Sequence, residues 1–323
     1  MNVIVTGATS FIGRAVTEEL LRQGCQVTAV IRPDSPGLSS YSDRPGIRVV
    51  PLNLSEISKL AKQDSAAPSL GVPEPPYAWF HLGWEGAGSA NRSKPELQRK
   101  NIGYSLDALE AAASLGCRRF LFSGSQAEYG ICSGPMKEEM DCHPVSEYGK
   151  NKVEVLRRAL ARAEELGVEY LHARIFSVYG PGDHPWSLVE TCLDQFLAGG
   201  HMDLGPCTQM WNYLYVEDAA RALVQLLLGK APGGVYNVAG EDTRPLRSFI
   251  EEIHQLCGGR GTYVYGHRPP NAEGVVSLNP DLSKLKAATG WKGQVDFAAG
   301  IKEMIRLRKE KDLEYTYKKE SSP

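Results

Sequence analysis

A glycine-containing turn near the start of the chain constrains the fold more than any other feature. Residues 2–6 form an apolar run that predicts a strand, and Gly7, Ser10 and Gly13 follow at intervals of three. A helix is predicted next, over residues 14–23. Glycines between a strand and a helix let the backbone approach a pyrophosphate at the helix N-terminus. The turn therefore predicts a dinucleotide-binding unit; the alternative is an ordinary tight turn.

Alternating strands and helices continue along most of the chain. Strands are predicted over residues 26–31, 47–51, 78–82, 119–123, 169–175 and 235–238, and helices over residues 56–63, 94–115, 148–166, 216–228, 247–256 and 297–313. This order is typical of an α/β fold, and we predict a Rossmann-type, doubly wound parallel sheet. A loop is predicted over residues 64–76, which are rich in Pro and Ser.

The chain is predicted to fold into two intimately joined parts. Residues 1–180 form a dinucleotide-binding Rossmann domain, to which residues 216–240 return. Residues 181–215 and 241–314 form a smaller C-terminal α/β substrate lobe, and residues 315–323 a polar tail.

The composition is that of an ordinary globular protein. Of the 323 residues, 42% are hydrophobic and 23% are charged, with a formal net charge of −2 at pH 7. This charge gives no reason to expect a nucleic acid or an anionic membrane as partner. Seven cysteines are scattered without a Cys-x-x-Cys pair, which indicates thiols rather than disulfides or a zinc site. We predict a cytoplasmic protein without a metal site.

Tyr148 and Lys152 are four residues apart in a predicted helix, so they share one face. An ammonium group beside a phenol stabilises the phenolate and lowers the pKa of a tyrosine from about 10. Ser125 follows the apolar run 119–123, where its hydroxyl can hold a substrate oxygen while the tyrosine moves a proton. Ser123 is the main competitor for this role. The alternative for Tyr148 and Lys152 is an exposed pair without chemistry.

The end of the second predicted strand bears on the choice between NAD and NADP. An acidic residue there would bind the ribose hydroxyls of NAD, but the strand ends Val30-Ile31-Arg32-Pro33. Arg32 can pair with the 2′-phosphate of NADP through a charge-assisted contact. We therefore favour NADP(H), with NAD(H) as the alternative; Arg32 could also be a solvated surface residue.

The turn 7–13, Ser125, Tyr148 and Lys152, in this order, resemble the extended short-chain dehydrogenase/reductases. The likeness is to their nucleotide-sugar epimerase, dehydratase and reductase branch. It covers nearly the whole chain and includes residues 81–83, 101–102, 174–182, 215–220 and 290–291. It implies a homodimer formed through the helices predicted over residues 94–115 and 148–166.

The resemblance also implies roles for individual residues. Tyr148 would be the general acid/base, Lys152 would lower its pKa and bind the nicotinamide ribose, and Ser125 would orient the substrate oxygen. The positions that it assigns to the cofactor are Gly7, Thr9, Ser10, Phe11, Ile12, Gly13, Asn53, Leu54, Leu82, Gly83, Asn101, Ile175 and Ser177, besides Tyr148 and Lys152.

Departures from the family's patterns narrow the chemistry. Gln126 and Ala127 stand where the sugar 4,6-dehydratases of the family place an Asp-Glu pair, so dehydration is not expected. The decarboxylating relatives also place a Glu at the position of Ala127. Glu128 is adjacent, but a strand-like neighbour points the other way. Two reactions remain that need only Ser125, Tyr148 and Lys152 with a hydride carrier.

The first reaction is NADPH-dependent reduction of a nucleotide-linked 4-keto-6-deoxy sugar, which Arg32 favours. The second is C4 epimerisation of a nucleotide sugar with retained NAD(P). A dinucleotide-binding regulator without activity is the remote alternative. Neither the nucleotide nor the sugar follows from the sequence, since many reactions share this fold.

Several residues of the second half are candidates for substrate binding. Arg268 lies where the family places a diphosphate-binding Arg, or is an ordinary loop arginine. Trp211 stands where the family has another Arg, and it could stack on a base or sugar or fill the core. The further candidates are Trp84, Glu85, Ser125, Gln126, Ala127, Ser177 and His184.

Overall fold

The computed structural model describes residues 1–61, 76–269 and 275–320. Its strands are β1 (Asn2–Thr6), β2 (Gln26–Ile31), β3 (Ile47–Pro51), β4 (Ala78–His81), β5 (Arg119–Ser125), β6 (Glu169–Ile175), β7 (Ser177–Tyr179), β8 (His201–Asp203), β9 (Met210–Tyr215), β10 (Gly234–Val238), β11 (Thr243–Pro245) and β12 (Thr262–Val264). Its α-helices are α1 (Phe11–Arg22), α2 (Pro95–Ser114), α3 (Glu147–Leu166), α4 (Leu188–Ala198), α5 (Val216–Leu228), α6 (Leu246–Leu256), α7 (Ser283–Thr289) and α8 (Phe297–Glu320). Short 3₁₀ helices cover Leu54–Leu60, Ser89–Asn91 and Gln126–Glu128.

Seven parallel strands form the central sheet, in the order β10-β6-β5-β4-β1-β2-β3. From β1 the chain first builds outward through β2 and β3, and then returns to build the other half from β4. The carboxyl ends of β1 and β4 therefore border the crevice where such sheets bind ligands. The predicted Rossmann-type parallel sheet is confirmed.

Helices cover both faces of this sheet, which explains why its strands are apolar on both sides. Val3 and Val5 belong to the core under α1 and α5. Ile4, between them, points to the opposite core under α2 and α3. A third core lies among α4, α6 and the first turns of α8, beside the small sheet β11-β9-β7. The division into two domains at residue 180 stays a prediction.

The element boundaries differ from the predictions mainly where side chains cap or extend a helix. Helix α1 begins at Phe11 rather than at residue 14, because Ser10 caps it: Ser10 Oγ accepts a hydrogen bond from Gly13 N at 3.1 Å. The segment predicted as a helix over residues 56–63 is the 3₁₀ helix Leu54–Leu60.

At the end of the chain, α8 continues to Glu320 instead of ending at residue 313. The predicted tail is thus largely helical in its described part. The loop predicted over residues 64–76 falls almost wholly outside the described residues. Within the described segments, no helix is both long and apolar enough to cross a bilayer.

Short elements of the second half were missed. They are β7, β8, β9, β11, β12, α4 and α7. Their strands are mostly three residues long, and the helices α4 and α7 are short, with 11 and 7 residues. Their position depends on the small sheets that they complete.

Candidate active site

The predicted glycine turn joins β1 to α1 in close contact with β4. Gly7 has a φ of +76°, and a Cβ atom there would lie 2.8 Å from the backbone nitrogen of Gly83. A Cβ atom at Gly13 would collide with the carbonyl oxygen of Gly7. The first amides of α1, including those of Phe11 and Ile12, have no acceptor inside the helix. The turn is therefore shaped to receive the pyrophosphate of a dinucleotide.

The segment after β2 packs over this turn. The hydroxyl of Tyr41 donates to the carbonyl oxygen of Ala8 at 2.9 Å, and Thr9 Oγ1 lies 3.0 Å from Ser35 Oγ. These contacts bring the end of β2 to the place where the adenosine ribose of a dinucleotide would lie.

Arg32 is at this end of β2, with its side chain 57% exposed and its Nε 4.0 Å from Asp34 Oδ1. The sequence interpretation looked for a carboxylate at the strand end only and missed Asp34, two residues further on. A cation and an anion thus stand together where the 2′-position of the ribose is read. Asp34 can bind the ribose hydroxyls of NAD, whereas Arg32 can pair with the 2′-phosphate of NADP.

Residues from β3 and β4 complete the cofactor crevice. Leu54 fills the space beside Gly83, where a Cβ atom would lie 2.8 Å from Leu54 Cδ2. Asn53 precedes Leu54 and begins the 3₁₀ helix. Leu82, which directly follows β4, is half-buried beside the Gly7 turn, and its backbone nitrogen donates to the carbonyl oxygen of Thr6 at 3.0 Å.

Asn101 acts on the loop after β4. Its Oδ1 accepts from Glu85 N at 2.7 Å, and its Nδ2 donates to Glu85 O at 3.0 Å. The side chain is buried on α2 and ties this helix to the loop that carries Trp84. Asn101 thus fixes this loop to α2 and does not itself face the crevice between β1 and β4.

The three predicted catalytic residues lie on neighbouring elements at the carboxyl end of the sheet. Ser125 ends β5, and Tyr148 and Lys152 occupy the first turns of α3. Lys152 Nζ donates to the carbonyl oxygen of Ser123 at 2.5 Å. Ser125 Oγ accepts from Ala127 N at 3.2 Å, so its hydroxyl proton remains to be donated to another group. Ser123 therefore contributes its backbone, whereas Ser125 presents its side chain.

Lys152 is buried beside aromatic rings. Its Nζ lies 3.8 Å from the centroid of the Trp84 indole and 5.4 Å from that of the Tyr148 ring. Burial, together with a smaller effect of the charge of Arg92, lowers the pKa of Lys152 to about 7, while Glu128 opposes the shift. The ammonium therefore loses its proton readily in this environment.

Tyr148 packs between Trp84 and Arg92. The Trp84 and Tyr148 ring centroids are 5.7 Å apart in an edge-on arrangement. Arg92 Cζ lies 4.3 Å from the Tyr148 centroid, and Tyr148 N donates to Arg92 O at 3.0 Å. Sequence reasoning missed Arg92, which belongs to no motif and precedes Tyr148 by more than fifty residues.

The residues after Ser125 supply no acid or base to the crevice. Gln126 lines a cavity, described below, with its amide, and Ala127 is buried. Glu128 is fully buried on the other side of the turn, where its carboxylate accepts from Arg174 Nε and lies within hydrogen-bond distance of His172 Nε2, both at 2.9 Å.

Burial raises the pKa of the Glu128 carboxyl, but His172 and Arg174 outweigh it and hold the pKa below its ordinary value. The Glu128 carboxylate also accepts a hydrogen bond from Ser125 N at 2.8 Å. The carboxylate therefore stabilises the turn that carries Ser125 rather than facing a substrate.

A cavity of about 740 Å³ lies on the side of the small sheet, and Arg92, which contacts Tyr148, belongs to its lining. Of the predicted substrate residues, Gln126, Ser177, Trp211 and Arg268 line it. Ile175 lies behind it, buried at the end of β6. Trp84, Glu85, Ser125 and Ala127 lie nearer to Tyr148 and the end of β4, outside the lining of this cavity.

His184 does not reach the cavity. It is exposed and stacks on Trp186, with ring centroids 4.5 Å apart. Its neighbour Asp183 lines the cavity instead, accepts a hydrogen bond from His184 N at 2.7 Å, and has its pKa raised by burial. Asp183 was missed because the sequence interpretation singled out the imidazole of this segment.

Comparison with known proteins decides the family. A model of the NAD dependent epimerase/dehydratase family matches residues 3–239 of this chain. The chain belongs to this family. The predicted resemblance and the assignment as an enzyme are confirmed.

The relatives of this chain differ in their activities. The UDP-N-acetyl-alpha-D-glucosaminuronate decarboxylase of Bacillus cytotoxicus is 24% identical, covering 95% of this chain and 97% of the relative. The dTDP-4-dehydro-6-deoxyglucose reductase of Escherichia coli is 24% identical, covering 94% of this chain and 96% of the relative.

The fold is shared with a solved UDP-glucose 4-epimerase of Thermotoga maritima, bound to UDP-glucose. Its TM-score is 0.83 at 24% identity, covering 96% of this chain and 99% of that chain. NAD is the cofactor named for the whole family, whereas the predicted preference of this family member for NADP has no support from the comparisons.

Proposed function

We propose that this enzyme reduces the 4-keto group of a nucleotide-linked 4-keto-6-deoxy sugar, with Tyr148 as the proton donor. The observation that carries the proposal is the grouping of Ser125, Tyr148 and Lys152 at the carboxyl end of the sheet, without an acid or base at Gln126 and Ala127. Such a site moves one proton at one oxygen. Dehydration and decarboxylation need further acid/base groups at these positions, and the adjacent carboxylate, Glu128, is held in a buried network.

The chemistry of each residue follows from its position. The nicotinamide cofactor, when bound along the glycine turn, supplies the hydride. Ser125 donates its hydroxyl proton in a hydrogen bond to the carbonyl oxygen of the substrate and orients it. Tyr148 transfers its proton to that oxygen as negative charge develops there. Lys152, in its ammonium form, stabilises the phenolate that remains. The rings of Trp84 and Phe122 flank Lys152 and exclude water from it.

A C4 epimerase is the second candidate, and Asp34 favours it. A carboxylate near the end of β2 can bind the ribose hydroxyls of NAD, and Asp34 lies 4.0 Å from Arg32. An epimerase recycles a retained NAD, whereas a reductase exchanges its cofactor at each turnover. Arg32, which can pair with a 2′-phosphate, supports NADPH and the reductase.

We propose that the enzyme is cytoplasmic. All seven cysteines are free thiols, which suits the reducing cytoplasm. We also propose a homodimer through α2 and α3, which pack against each other. The apolar side chain of Leu160 on α3 is 42% exposed and would be covered there.

The test separates the two reactions by cofactor retention and by product. Freshly purified protein is denatured and its supernatant analysed by mass spectrometry for NAD(H) and NADP(H), and the wild type is then assayed with dTDP-4-dehydro-6-deoxyglucose and NADPH. We expect an empty cofactor site and oxidation of NADPH that depends on the sugar. Stoichiometric NAD together with interconversion of UDP-glucose and UDP-galactose would establish the epimerase instead. Absence of both activities would contradict the proposal.

A further inference from the structure

Arg92 contacts Tyr148 through both its backbone and its side chain. Its Cζ lies 4.3 Å from the centroid of the phenol ring, within the range of a cation–π contact. Its carbonyl oxygen accepts a hydrogen bond from Tyr148 N at 3.0 Å. The loop that carries Arg92 therefore packs against the first turn of α3, and the guanidinium covers one face of the Tyr148 ring.

A buried amide holds this loop in place. Gln98, on α2, is fully buried, and its Nε2 donates to Gly86 O at 2.8 Å and to Asn91 O at 3.0 Å. Its Oε1 accepts from Trp84 Nε1 at 2.8 Å. A buried amide with its donors and acceptor paired is costly to displace. Gln98 thus fixes Trp84 and the residue before Arg92 with respect to each other.

The charges around Tyr148 are dominated by two cations. Arg92 covers the ring, and Lys152 Nζ lies 5.4 Å from its centroid. Beyond Lys152, His81 is neutral at pH 7 because burial lowers its pKa to about 3. Glu128 is paired with Arg174.

On α3 itself, the carboxylate of Glu147 is paired with Lys150 at 2.8 Å. Glu128 and Glu147 are therefore each paired with another residue. The charge of Arg92 is among the causes that lower the pKa of Lys152. Both cations lie close to the Tyr148 ring centroid, at 4.3 and 5.4 Å, so a negative charge on the phenol would reduce the repulsion between them.

We propose that Arg92 is a second positioning residue for proton transfer, whose guanidinium stabilises the phenolate of Tyr148. When the O–H bond of Tyr148 breaks, the electron pair stays on the phenolate oxygen. The proton forms a bond to the substrate oxygen, which takes up the π-electron pair of the carbonyl as the hydride adds to the carbonyl carbon. Arg92 and Lys152 then share the charge of the phenolate. The catalytic consequence rests on the proposed function, whereas the effect of Arg92 on the ionisation of Tyr148 does not.

The ionisation can be measured without a substrate. The protein is labelled with [¹³Cζ]tyrosine, and the NMR signal that is absent from Tyr148→Phe identifies Tyr148 among the 14 tyrosines. We expect Arg92→Gln to raise the titration midpoint of this signal by about one pH unit or more, because an opposite charge within about 6 Å favours ionisation. Arg92→Lys, which keeps the charge, should shift it less.

Lys94→Gln is the matched control. Lys94 is an exposed cation two residues away in the same loop, and its Nζ contacts Asn91 Oδ1 at 2.8 Å rather than the tyrosine. We expect it to leave the midpoint of Tyr148 unchanged. An unchanged midpoint in Arg92→Gln, or an equal shift in Lys94→Gln, would overturn the proposal.

Turnover provides a second readout, which distinguishes stabilisation of the Tyr148 phenolate from substrate binding by Arg92. The pH profile of kcat should move to higher pH in Arg92→Gln and return towards the wild type in Arg92→Lys. A higher KM with an unmoved pH profile would show that Arg92 only binds the substrate, and would overturn the proposal. An inactive wild type would contradict the proposed function, and the NMR titration would still decide the role of Arg92.

Discussion

Lys152 Nζ lies 3.8 Å from the centroid of the Trp84 indole ring. This contact joins the loop after β4 to α3, and it places the ammonium against an aromatic face instead of water. Burial lowers the pKa of Lys152 to about 7. The indole face offsets part of the cost of burying the charge. Trp84 therefore belongs to the proposed proton-transfer site together with Tyr148, which it contacts.

The contact between Trp84 and Lys152 should appear as a coupling energy. A double-mutant cycle with Trp84→Leu and Lys152→Met, followed by urea denaturation below about pH 7, where Lys152 is charged, isolates this pair. We expect a coupling of about 1–2 kcal/mol, since a desolvated cation–π contact has this strength. Trp84→Phe should retain part of it. Additive effects of the two changes would contradict the contact.

Tyr148→Phe should remove turnover without removing the cofactor. A phenyl ring stays between Trp84 and Arg92, but the hydroxyl group that donates the proton is gone. We expect kcat to fall on the order of a hundredfold or more, with an unchanged dissociation constant for the cofactor. Tyr77→Phe, just before β4 and far from the crevice, serves as the control. Near-native turnover in Tyr148→Phe would disprove the assignment.

Gly13→Ala should abolish cofactor binding. The new Cβ atom would collide with the carbonyl oxygen of Gly7 and push α1 away from the turn. Calorimetric titration with NAD and NADP should show no binding, and the protein should also be less stable by more than about 1 kcal/mol.

Gly103→Ala is the matched control, because a Cβ atom at that position on α2 meets no heavy atom within 4 Å. It should bind the cofactor normally and be more stable by about 0.5–1 kcal/mol, since Ala favours a helix interior over Gly. Equal cofactor affinity in both variants would refute the close packing of the turn.

His81 should make the stability depend on pH below neutrality. Its Nδ1 lies 2.9 Å from Thr6 Oγ1, and burial lowers its pKa from 6.5 to about 3. Between these values the unfolded chain binds a proton that the folded protein excludes. The folded state therefore loses stability as the pH falls through this window, by up to about 1.4 kcal/mol per pH unit.

Urea denaturation from about pH 7 to about pH 5, above the range where carboxylates dominate, measures this slope. His81→Gln, which carries no titrating ring, should have a shallower slope than the wild type. The same slope in both proteins would mean that His81 does not remain neutral.

Glu128→Gln should lower stability and preserve the chemistry. It leaves the buried Arg174 without its carboxylate, and we expect a loss of about 3–5 kcal/mol in the free energy of unfolding. The kcat per folded molecule should be retained, because Glu128 faces away from the crevice. Glu139→Gln, at an exposed position, controls for the change of charge. A folded Glu128→Gln variant without turnover would show that this carboxylate takes part in the reaction.

The sequence was sufficient for features that depend on short distances along the chain. The turn between β1 and α1 was predictable because its glycines act on the backbone next to them, whereas the cap by Ser10, which starts α1 at Phe11, was not predicted. The common face of Tyr148 and Lys152 follows from the period of the helix. Family membership could be inferred from the same residues, since their order along the chain survives where overall identity is low.

Only the tertiary structure showed what surrounds these residues. Arg92 reaches Tyr148 from a loop before α2, and Asp183 enters the cavity from a segment after β7. The shifted pKa of Lys152 and the confinement of Glu128 by Arg174 likewise arise between strands and helices that are distant in the chain. Burial and charge interactions depend on distances in space, and a local pattern of residues carries no measure of those distances.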